Sequence, residues 1–186
     1  RGGLYLSASE AGHVDTLQEL APFTNFFFYL VADIDFAEIG QEGQNLTNGI
    51  SAWEAQATLP TQILILGATL APATSLDVGS VTGSVYDFVV GTGTTASVGD
   101  PFTLVTFQGF ISDAGANFTE TATLAPVTSP SVPGEAVWVE AQPLNGCTIG
   151  QAPENCIFRF ANLGDLTLST GIDNDSESFG SMKARF

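Results

Sequence analysis

The sequence predicts an all-β protein, a single β-sandwich or jelly-roll-like domain of about nine to ten strands that are mostly antiparallel. Two observations predict this class. Segments rich in Val, Ile, Thr and aromatic residues recur about every ten residues, and clusters rich in Gly and Pro separate nearly all of them. A chain of 186 residues, of which 44% are hydrophobic, is also long enough to bury a core within one domain.

Ten segments have the composition of strands. The first three are Gly3–Ser7, Asn25–Asp33 and Ile50–Thr58, and the second of them is apolar enough for burial on both faces. The other seven cover residues 62–69, 84–90, 102–112, 117–124, 135–141, 157–161 and 165–169. Residues 15–20, before Pro22, could form a helical turn, which at this length would be only marginally stable. We expect the sandwich to span residues 1–177 and a C-terminal tail to span residues 178–186.

The charges are distributed very unevenly along the chain. There are 20 acidic residues and four basic ones, which gives a net charge of −16. Such a chain has no basic patch to neutralise phosphates, so we expect no nucleic-acid partner. The longest apolar run, residues 26–32, is far shorter than the roughly 20 residues that cross a bilayer, so we also expect no membrane insertion.

The two cysteines, Cys147 and Cys156, are separated by a polar stretch that contains Gly150 and Pro153. Such a stretch can turn back on itself and bring the two sulfurs together. A disulfide would stabilise the fold by roughly 2–3 kcal/mol and would indicate an oxidising compartment. The alternative is two free thiols. We do not expect a structural zinc site, because His13 is the only histidine and there is no second cysteine pair.

Few residues could carry catalysis. No GxSxG motif accompanies His13. Glu54 and Glu140 lie beside Trp53 and Trp138, and a pair of carboxylates near aromatic rings is typical of glycoside hydrolases. In the simpler interpretation the tryptophans fill the core and the glutamates face water. We therefore predict that the protein is not an enzyme.

Acidic residues alternate in the stretch GIDNDSES, where Asp173, Asp175 and Glu177 could offer oxygen ligands to calcium. Their spacing is not that of an EF-hand loop, and the glycine at its sixth position is missing. A solvated acidic turn is the simpler interpretation. We therefore expect no cofactor and keep calcium as the alternative.

Several stretches resemble those of a group of uncharacterised secreted bacterial proteins. They are GLYLS, APFTNFFFYLVAD, ISAWEAQATLP, QILILGATLAPATSLDVGS, FVVGTGT, PFTLVTFQGFISD and SVPGEAVWVE. The closing ESFGSMKARF resembles a recurrent ending of the form S-x-G-x-x-K-x-x-aromatic, carried here by Ser178, Gly180, Lys183 and Phe186. The chain is also distantly similar to cohesin-type β-sandwiches of cell-surface assemblies. This resemblance implies a β-sandwich that is secreted or displayed on the cell surface, and it supplies no catalytic residues.

The chain has no lysine before position 183, although lysine commonly protects the edge strands of β-sheets against further pairing. We therefore predict an exported structural subunit of a cell-surface or extracellular assembly, whose copies join by strand addition and can form a filament. The joint is predicted in residues 1–9 and 178–186, at Leu4, Tyr5, Leu6, Phe179, Met182, Lys183, Arg185 and Phe186.

The alternative function is a non-catalytic binding module of the carbohydrate or cohesin type. Its partners would be glycans or other surface proteins. This alternative predicts exposed aromatic side chains on one face of a sheet, with Trp53, Tyr86 and Trp138 as the candidates. The C-terminal tail would then be a sorting segment rather than an assembly strand.

Overall fold

The computed structural model describes residues 3–33, 50–92, 101–140 and 157–171. Over these residues the chain forms fourteen strands and no helix. The strands are β1 (Gly3–Ser7), β2 (Thr16–Leu17), β3 (Asn25–Asp33), β4 (Ile50–Thr58), β5 (Leu64–Leu70), β6 (Leu76–Asp77), β7 (Ser80–Thr82), β8 (Val85–Gly91), β9 (Phe102–Phe110), β10 (Thr119–Ala125), β11 (Val137–Glu140), β12 (Ile157–Arg159), β13 (Asn162–Gly164) and β14 (Leu166–Ser169).

The strands form two sheets. The first has the order β13-β1-β3-β9-β5. The second has the order β12-β11-β4-β10-β14-β2, and β8 pairs with β4 and also with β6 and β7. The pairs β1–β13 and β14–β2 are parallel, and the other pairs between described strands are antiparallel. The predicted, mostly antiparallel sandwich is therefore confirmed.

Each of the ten predicted strands overlaps an observed one, and the four further strands are two or three residues long. The helical turn predicted over residues 15–20 is wrong. Thr16–Leu17 instead forms β2, parallel to β14, and the Thr167 N–H donates to the Asp15 carbonyl at 2.8 Å. An isolated helical segment of this length is unstable, so pairing with the neighbouring strand determines its backbone.

Stacked aromatic rings join the two sheets at the centre of the core. Phe28 of β3 and Phe107 of β9 are stacked with their centroids 4.8 Å apart. From the opposite sheet, Phe88 and Tyr86 of β8 each meet Phe107 edge-on at 6.0 Å. Such aromatic pairs contribute about 0.5–1.5 kcal/mol beyond the area they bury. These rings therefore hold the faces of β3, β8 and β9 together.

The two tryptophans also belong to the core. Trp53 of β4 and Trp138 of β11 lie opposite each other in the second sheet and are 3% and 0% exposed. Phe158 stacks on Trp138 at 4.7 Å, and Phe88 packs against Trp53 at 5.5 Å. This agrees with the simpler interpretation of the sequence, in which the tryptophans fill the core.

Between β10 and β11 the chain leaves the second sheet. Both strands pair with the same edge of β4, where Ala125 lies opposite Gln56 and Val137 lies opposite Glu54. Residues 126–136, between these two strands, reach over the outer face of the sheet. We call residues 126–136 the strap.

None of the described segments is a helix that is long and apolar enough to cross a membrane.

Candidate functional site

One side of the sandwich combines exposed apolar side chains with very little charge. Eight large hydrophobic residues are exposed in the described part of the chain, and five of them lie on this side. These five are between 49% and 70% exposed: Leu64, Leu66, Leu76, Val78 and Val81. Residues 61–86 contain one charged residue, Asp77, in a chain whose net charge is −16. We call the surface formed by β5, β6 and β7 the open side.

The open side consists of the edge strands of both sheets. Within the described ranges, β5 pairs with β9 alone, and β6 and β7 pair with β8 alone. An edge strand presents outward N–H and C=O groups that another strand can bind. The register of β5 shifts between Ile65 and Gly67, and the intervening Leu66 is half exposed. The open side therefore offers both backbone groups and apolar side chains to a partner.

The edges of the two sheets lie next to each other. The chain passes from β5 to β6 through residues 71–75. A pocket of about 280 Å³ is lined by Ile63 and Leu64 near the start of β5, and by Ser84 and Tyr86 near the start of β8. This arrangement brings the two edges to the same side of the sandwich, where they form one continuous surface.

The only charged side chain in this stretch is used within the protein itself. Asp77 accepts hydrogen bonds through Oδ1 from the N–H of Gly79 at 2.8 Å and from the N–H of Val89 at 2.9 Å. A side chain at Gly79 would collide with the backbone, because a Cβ there would lie 1.8 Å from the carbonyl oxygen of Asp87. The carboxylate and the glycine together hold the turn between β6 and β7 against β8.

Two carboxylates on the outer face of the second sheet bind the strap. Glu54 accepts hydrogen bonds from the N–H and the Oγ–H of Ser131, at 2.6 Å and 2.8 Å. Asp87 accepts from the N–H and the Oγ1–H of Thr128, at 3.1 Å and 2.6 Å, and from Nε2 of Gln56 at 2.8 Å. The hydrogen bonds from the side chains of Thr128 and Gln56 hold the pKa of Asp87 below its ordinary value.

The expectation that Glu54 faces water is wrong, because the strap covers it and leaves it 4% exposed. Its hydrogen bonds to Ser131 make it an anchor for the strap. The backbone of Glu140 lies opposite Ile50, four residues along β4 from Glu54. The two glutamate positions are therefore roughly 13 Å apart along the strand, at about 3.3 Å per residue. This backbone spacing gives no support to a catalytic pair of carboxylates.

The predicted exposure of Trp53 and Trp138 as a ligand-binding platform is also wrong. Both side chains are buried, because β4 and β11 turn them toward the facing sheet. Tyr86 is partly buried and meets Phe107 edge-on, and this burial raises the pKa of the Tyr86 hydroxyl. None of these three rings forms a flat exposed surface for a sugar.

The N-terminal residues of the predicted joint lie within the sandwich of their own chain. Strand β1 pairs with β3 along one edge and with β13 along the other. Leu4 and Leu6 are fully buried, and the Tyr5 ring stacks on His13 with centroids 4.4 Å apart. To serve a neighbouring subunit, β1 would first have to leave its own core. The role of these residues at a joint remains a prediction.

The other predicted site residues lie outside the described residues, so each of these predictions stays as it was. They are the cysteines Cys147 and Cys156, the calcium candidates Asp173, Asp175 and Glu177, and the tail residues Phe179, Met182, Lys183, Arg185 and Phe186. In the part of the chain that the structure does describe, no three His, Cys, Asp or Glu residues come together in a way that could hold a metal ion.

The strap and its anchors were not among the predicted features, although the sequence contains a signal for the strap. Pro126, Pro130 and Pro133 lie within eight residues, and proline cannot donate to a β-ladder. The segment between β10 and β11 therefore cannot continue the sheet. Which residues it would contact on leaving the sheet cannot be inferred from this local composition.

The fold is a two-sheet β-sandwich, and several solved structures with a similar fold are cohesin modules. No family model matches the chain, and no curated protein matches it either. The non-cellulosomal cohesin of the archaeon Archaeoglobus fulgidus superposes with a TM-score of 0.51 at 6% identity, over 100% of this chain and 99% of the cohesin.

Two other solved structures show the same likeness. A type III cohesin module from the ScaE cell-surface anchoring scaffoldin of Ruminococcus flavefaciens has a TM-score of 0.54 at 12% identity, over 92% of this chain and 88% of the module. A match to the Coh-OlpC–Doc435 cohesin–dockerin complex of Clostridium thermocellum has a TM-score of 0.50 at 9% identity, over 90% of this chain and 93% of the matched chain. At these identities the likeness shows the fold alone.

Proposed function

We propose that this protein is an exported, non-catalytic structural subunit of a cell-surface or extracellular assembly, in which one copy adds a strand to the open side of the next copy. The observation that carries this proposal is the open side itself, an apolar edge of two sheets in a strongly acidic chain. The cohesin fold supports an extracellular, non-catalytic module, since the matching module of Ruminococcus flavefaciens belongs to a cell-surface anchoring scaffoldin.

Electrostatics and hydration both favour contact at the open side. Copies with a net charge of −16 repel each other over most of their surface. This repulsion is weakest where two copies can meet without bringing carboxylates together, and residues 61–86 hold only Asp77. Covering the exposed side chains of β5, β6 and β7 also removes apolar surface from water, at about 25 cal/mol per Å². A contact of this kind is typical of an interaction site on a soluble protein.

The C-terminal tail, residues 178–186, is the proposed donor strand. Nine extended residues span roughly 30 Å, which is more than the seven residues of β5 require. Lys183 and Arg185 would bring two positive charges toward an acidic neighbour and favour the encounter. Strand β1 is the weaker candidate, because its leucines already fill the core of its own chain. Donation from the tail of one copy to the edge of the next is a head-to-tail contact, which builds filaments when it does not close into a ring.

The test is the solution mass of the natively isolated protein by light scattering, with electron micrographs of the same fraction. We expect regular polymers from the wild type. The variants Leu66→Lys and Val81→Lys place a charge on the open side and should reduce the assembly mass strongly, as lysine does on natural edge strands. Val14→Lys is the matched control, because Val14 is exposed but lies away from the open side and should leave assembly unchanged.

A wild-type protein that remains a monomer of 19.4 kDa would refute self-assembly. Equal effects of Val14→Lys and Leu66→Lys would show that the open side is not the joint. Deletion of residues 178–186 tests the donor separately. If the deletion leaves assembly intact while Leu66→Lys abolishes it, the open side is the acceptor, and the tail is a sorting segment.

Binding of a different surface protein is the second candidate function. The observation that favours it is a groove of about 410 Å³ between the strap and β7, lined in part by Val78, Val89, Val127 and Asp87. One structure with this fold is a cohesin–dockerin complex, which supports a protein partner. The burial of Trp53 and Trp138 gives a glycan partner no comparable support. A monomer that binds one purified surface protein saturably in calorimetry would favour this function over self-assembly.

A further inference from the structure

We propose that the strap is an acid-releasable cover over the outer face of the second sheet, held in place by hydrogen bonds to the side chains of Glu54 and Asp87. This inference does not depend on strand addition at the open side. It rests on the contacts between the strap and the two strands beneath it, β4 and β8.

The strap is attached to the sheet through hydrogen bonds that it donates itself. Ser131 donates two hydrogen bonds to Glu54, and Thr128 donates two to Asp87, at distances between 2.6 Å and 3.1 Å. In each pair one bond comes from the backbone N–H and the other from the side-chain hydroxyl. Two strap residues therefore direct all four of these donors at two carboxylates, one on each of two neighbouring strands.

The hydrogen bonds that Thr128 donates to Asp87 are strongest when Asp87 is ionised. A carboxylate offers lone pairs on both oxygens, whereas a protonated carboxyl group has one O–H and reduced acceptor capacity. A hydrogen bond to an ionised acceptor is roughly twice as strong as one between neutral groups. Protonation of Asp87 therefore weakens the attachment of Thr128.

The other charged groups near the strap do not replace these attachments. Glu135, at the C-terminal end of the strap, pairs with Arg159 at 3.2 Å in a largely exposed contact, which contributes little. Asp77 on β6 binds the backbone of its own turn. Val89 and Val137, the neighbours of Glu54 in the sheet, are uncharged.

Asp87 determines the direction of the pH effect. Its pKa is lowered in the folded protein by the hydrogen bonds from Thr128 and Gln56. The stability that it contributes is therefore fully present above its ordinary pKa, and it is lost as the pH falls through the lowered, folded-state pKa. The strap should be held at neutral pH and released in acid.

Release of the strap uncovers a surface that is closed in the native structure. Val127 and Val137 are both buried at the junctions of the strap with the sheet, and Glu54 is buried beneath it. Three prolines at positions 126, 130 and 133 restrict the internal motion of the strap, so we expect it to move as one unit about its ends. The groove beside β7 would widen at the same time, because Val127 and Thr128 form one of its walls.

The test is amide hydrogen exchange of residues 126–136 by mass spectrometry at pH about 7 and about 2.5, corrected for intrinsic rates. The lower pH lies below the ordinary Asp pKa of 3.8, where the contribution of Asp87 is being lost. We expect the wild-type strap to exchange faster at the lower pH. At the higher pH, the double variant Glu54→Gln, Asp87→Asn should exchange about tenfold faster than the wild type, which corresponds to a loss of about 1.4 kcal/mol of hydrogen bonding. Asp113→Asn is the control, since Asp113 caps Gly115 in an exposed turn outside the strap.

Near-ultraviolet circular dichroism verifies that each variant is folded. If the double variant does not fold, Ser131→Ala is the variant to use. It removes one exposed hydrogen-bond donor, and it should accelerate exchange in the strap while the rest of the chain exchanges as in the wild type. Normal protection of the strap in a folded double variant would overturn the proposal. It would also be overturned if the wild-type strap exchanged equally slowly at both pH values.

Discussion

Phe107 is the residue whose replacement tests the architecture most directly. Its side chain is fully buried and touches aromatic rings of both sheets: Phe28, Phe88 and Tyr86. We expect Phe107→Ala to lower the free energy of unfolding by about 4 kcal/mol, because a buried Phe→Ala change costs about 3–5 kcal/mol through lost burial and a residual cavity. Phe107→Leu keeps most of the volume but loses the ring contacts, and should cost about 1–2 kcal/mol.

The assay is urea denaturation followed by the fluorescence of the two buried tryptophans, Trp53 and Trp138. Phe27→Ala is the matched control, since Phe27 lies on β3 and is 49% exposed, so its loss should cost about 1 kcal/mol or less. Domains of this size are typically stable by about 5–15 kcal/mol, so the Phe107→Ala variant should still fold. If Phe107→Ala cost no more than Phe27→Ala, Phe107 would not be part of a packed junction between the sheets, and the reasoning would be refuted.

Two further predictions concern the turn beside β8 and the anchor of the strap. Gly79→Ala should lower the free energy of unfolding by about 2–3 kcal/mol in the same assay, because the added Cβ would collide with the Asp87 carbonyl oxygen. Gly83→Ala is the control: its Cβ would meet open space, and its φ of 62° should cost only about 1 kcal/mol. Equal losses of stability in the two variants would contradict the clash at Gly79. The free energy of unfolding of the wild type should fall as the pH drops below the ordinary Asp pKa of 3.8, because the pKa of Asp87 is lower in the folded protein than in the unfolded chain. Asp87→Asn should make the free energy of unfolding depend less on pH in this range. Parallel curves for the two proteins would show that Asp87 is not the source of the pH dependence.

The open side gives a structural meaning to the composition of the chain. The chain has 20 acidic and four basic residues, yet residues 61–86 include a single charged side chain, Asp77. Natural β-proteins commonly place charge on the edges of their sheets, because an uncharged edge recruits other strands. An edge with so little charge therefore supports the proposed role in assembly.

The sequence by itself determined the class of the fold and the positions of the main strands. In segments such as Asn25–Asp33 and Ile50–Thr58, β-branched and aromatic residues lie between Gly- and Pro-rich turns, and this local pattern is sufficient to predict a strand. The placement of the tryptophans in the core also followed from the sequence, since large aromatic side chains gain the most from burial. The net charge argued against a nucleic-acid partner, and the lack of lysine before position 183 led to the prediction of strand addition.

Only the tertiary structure decided which distant segments meet. Thr16–Leu17 forms a short strand because β14 lies beside it, and Glu54 is buried because Ser131, 77 positions away, binds its carboxylate. The open side exists because β5, the edge strand of one sheet, lies on the same side of the sandwich as β6 and β7, the edge strands of the other. Local polarity patterns depend on neighbours along the chain, whereas strand order and the covering of a polar residue depend on contacts between segments that are remote in sequence.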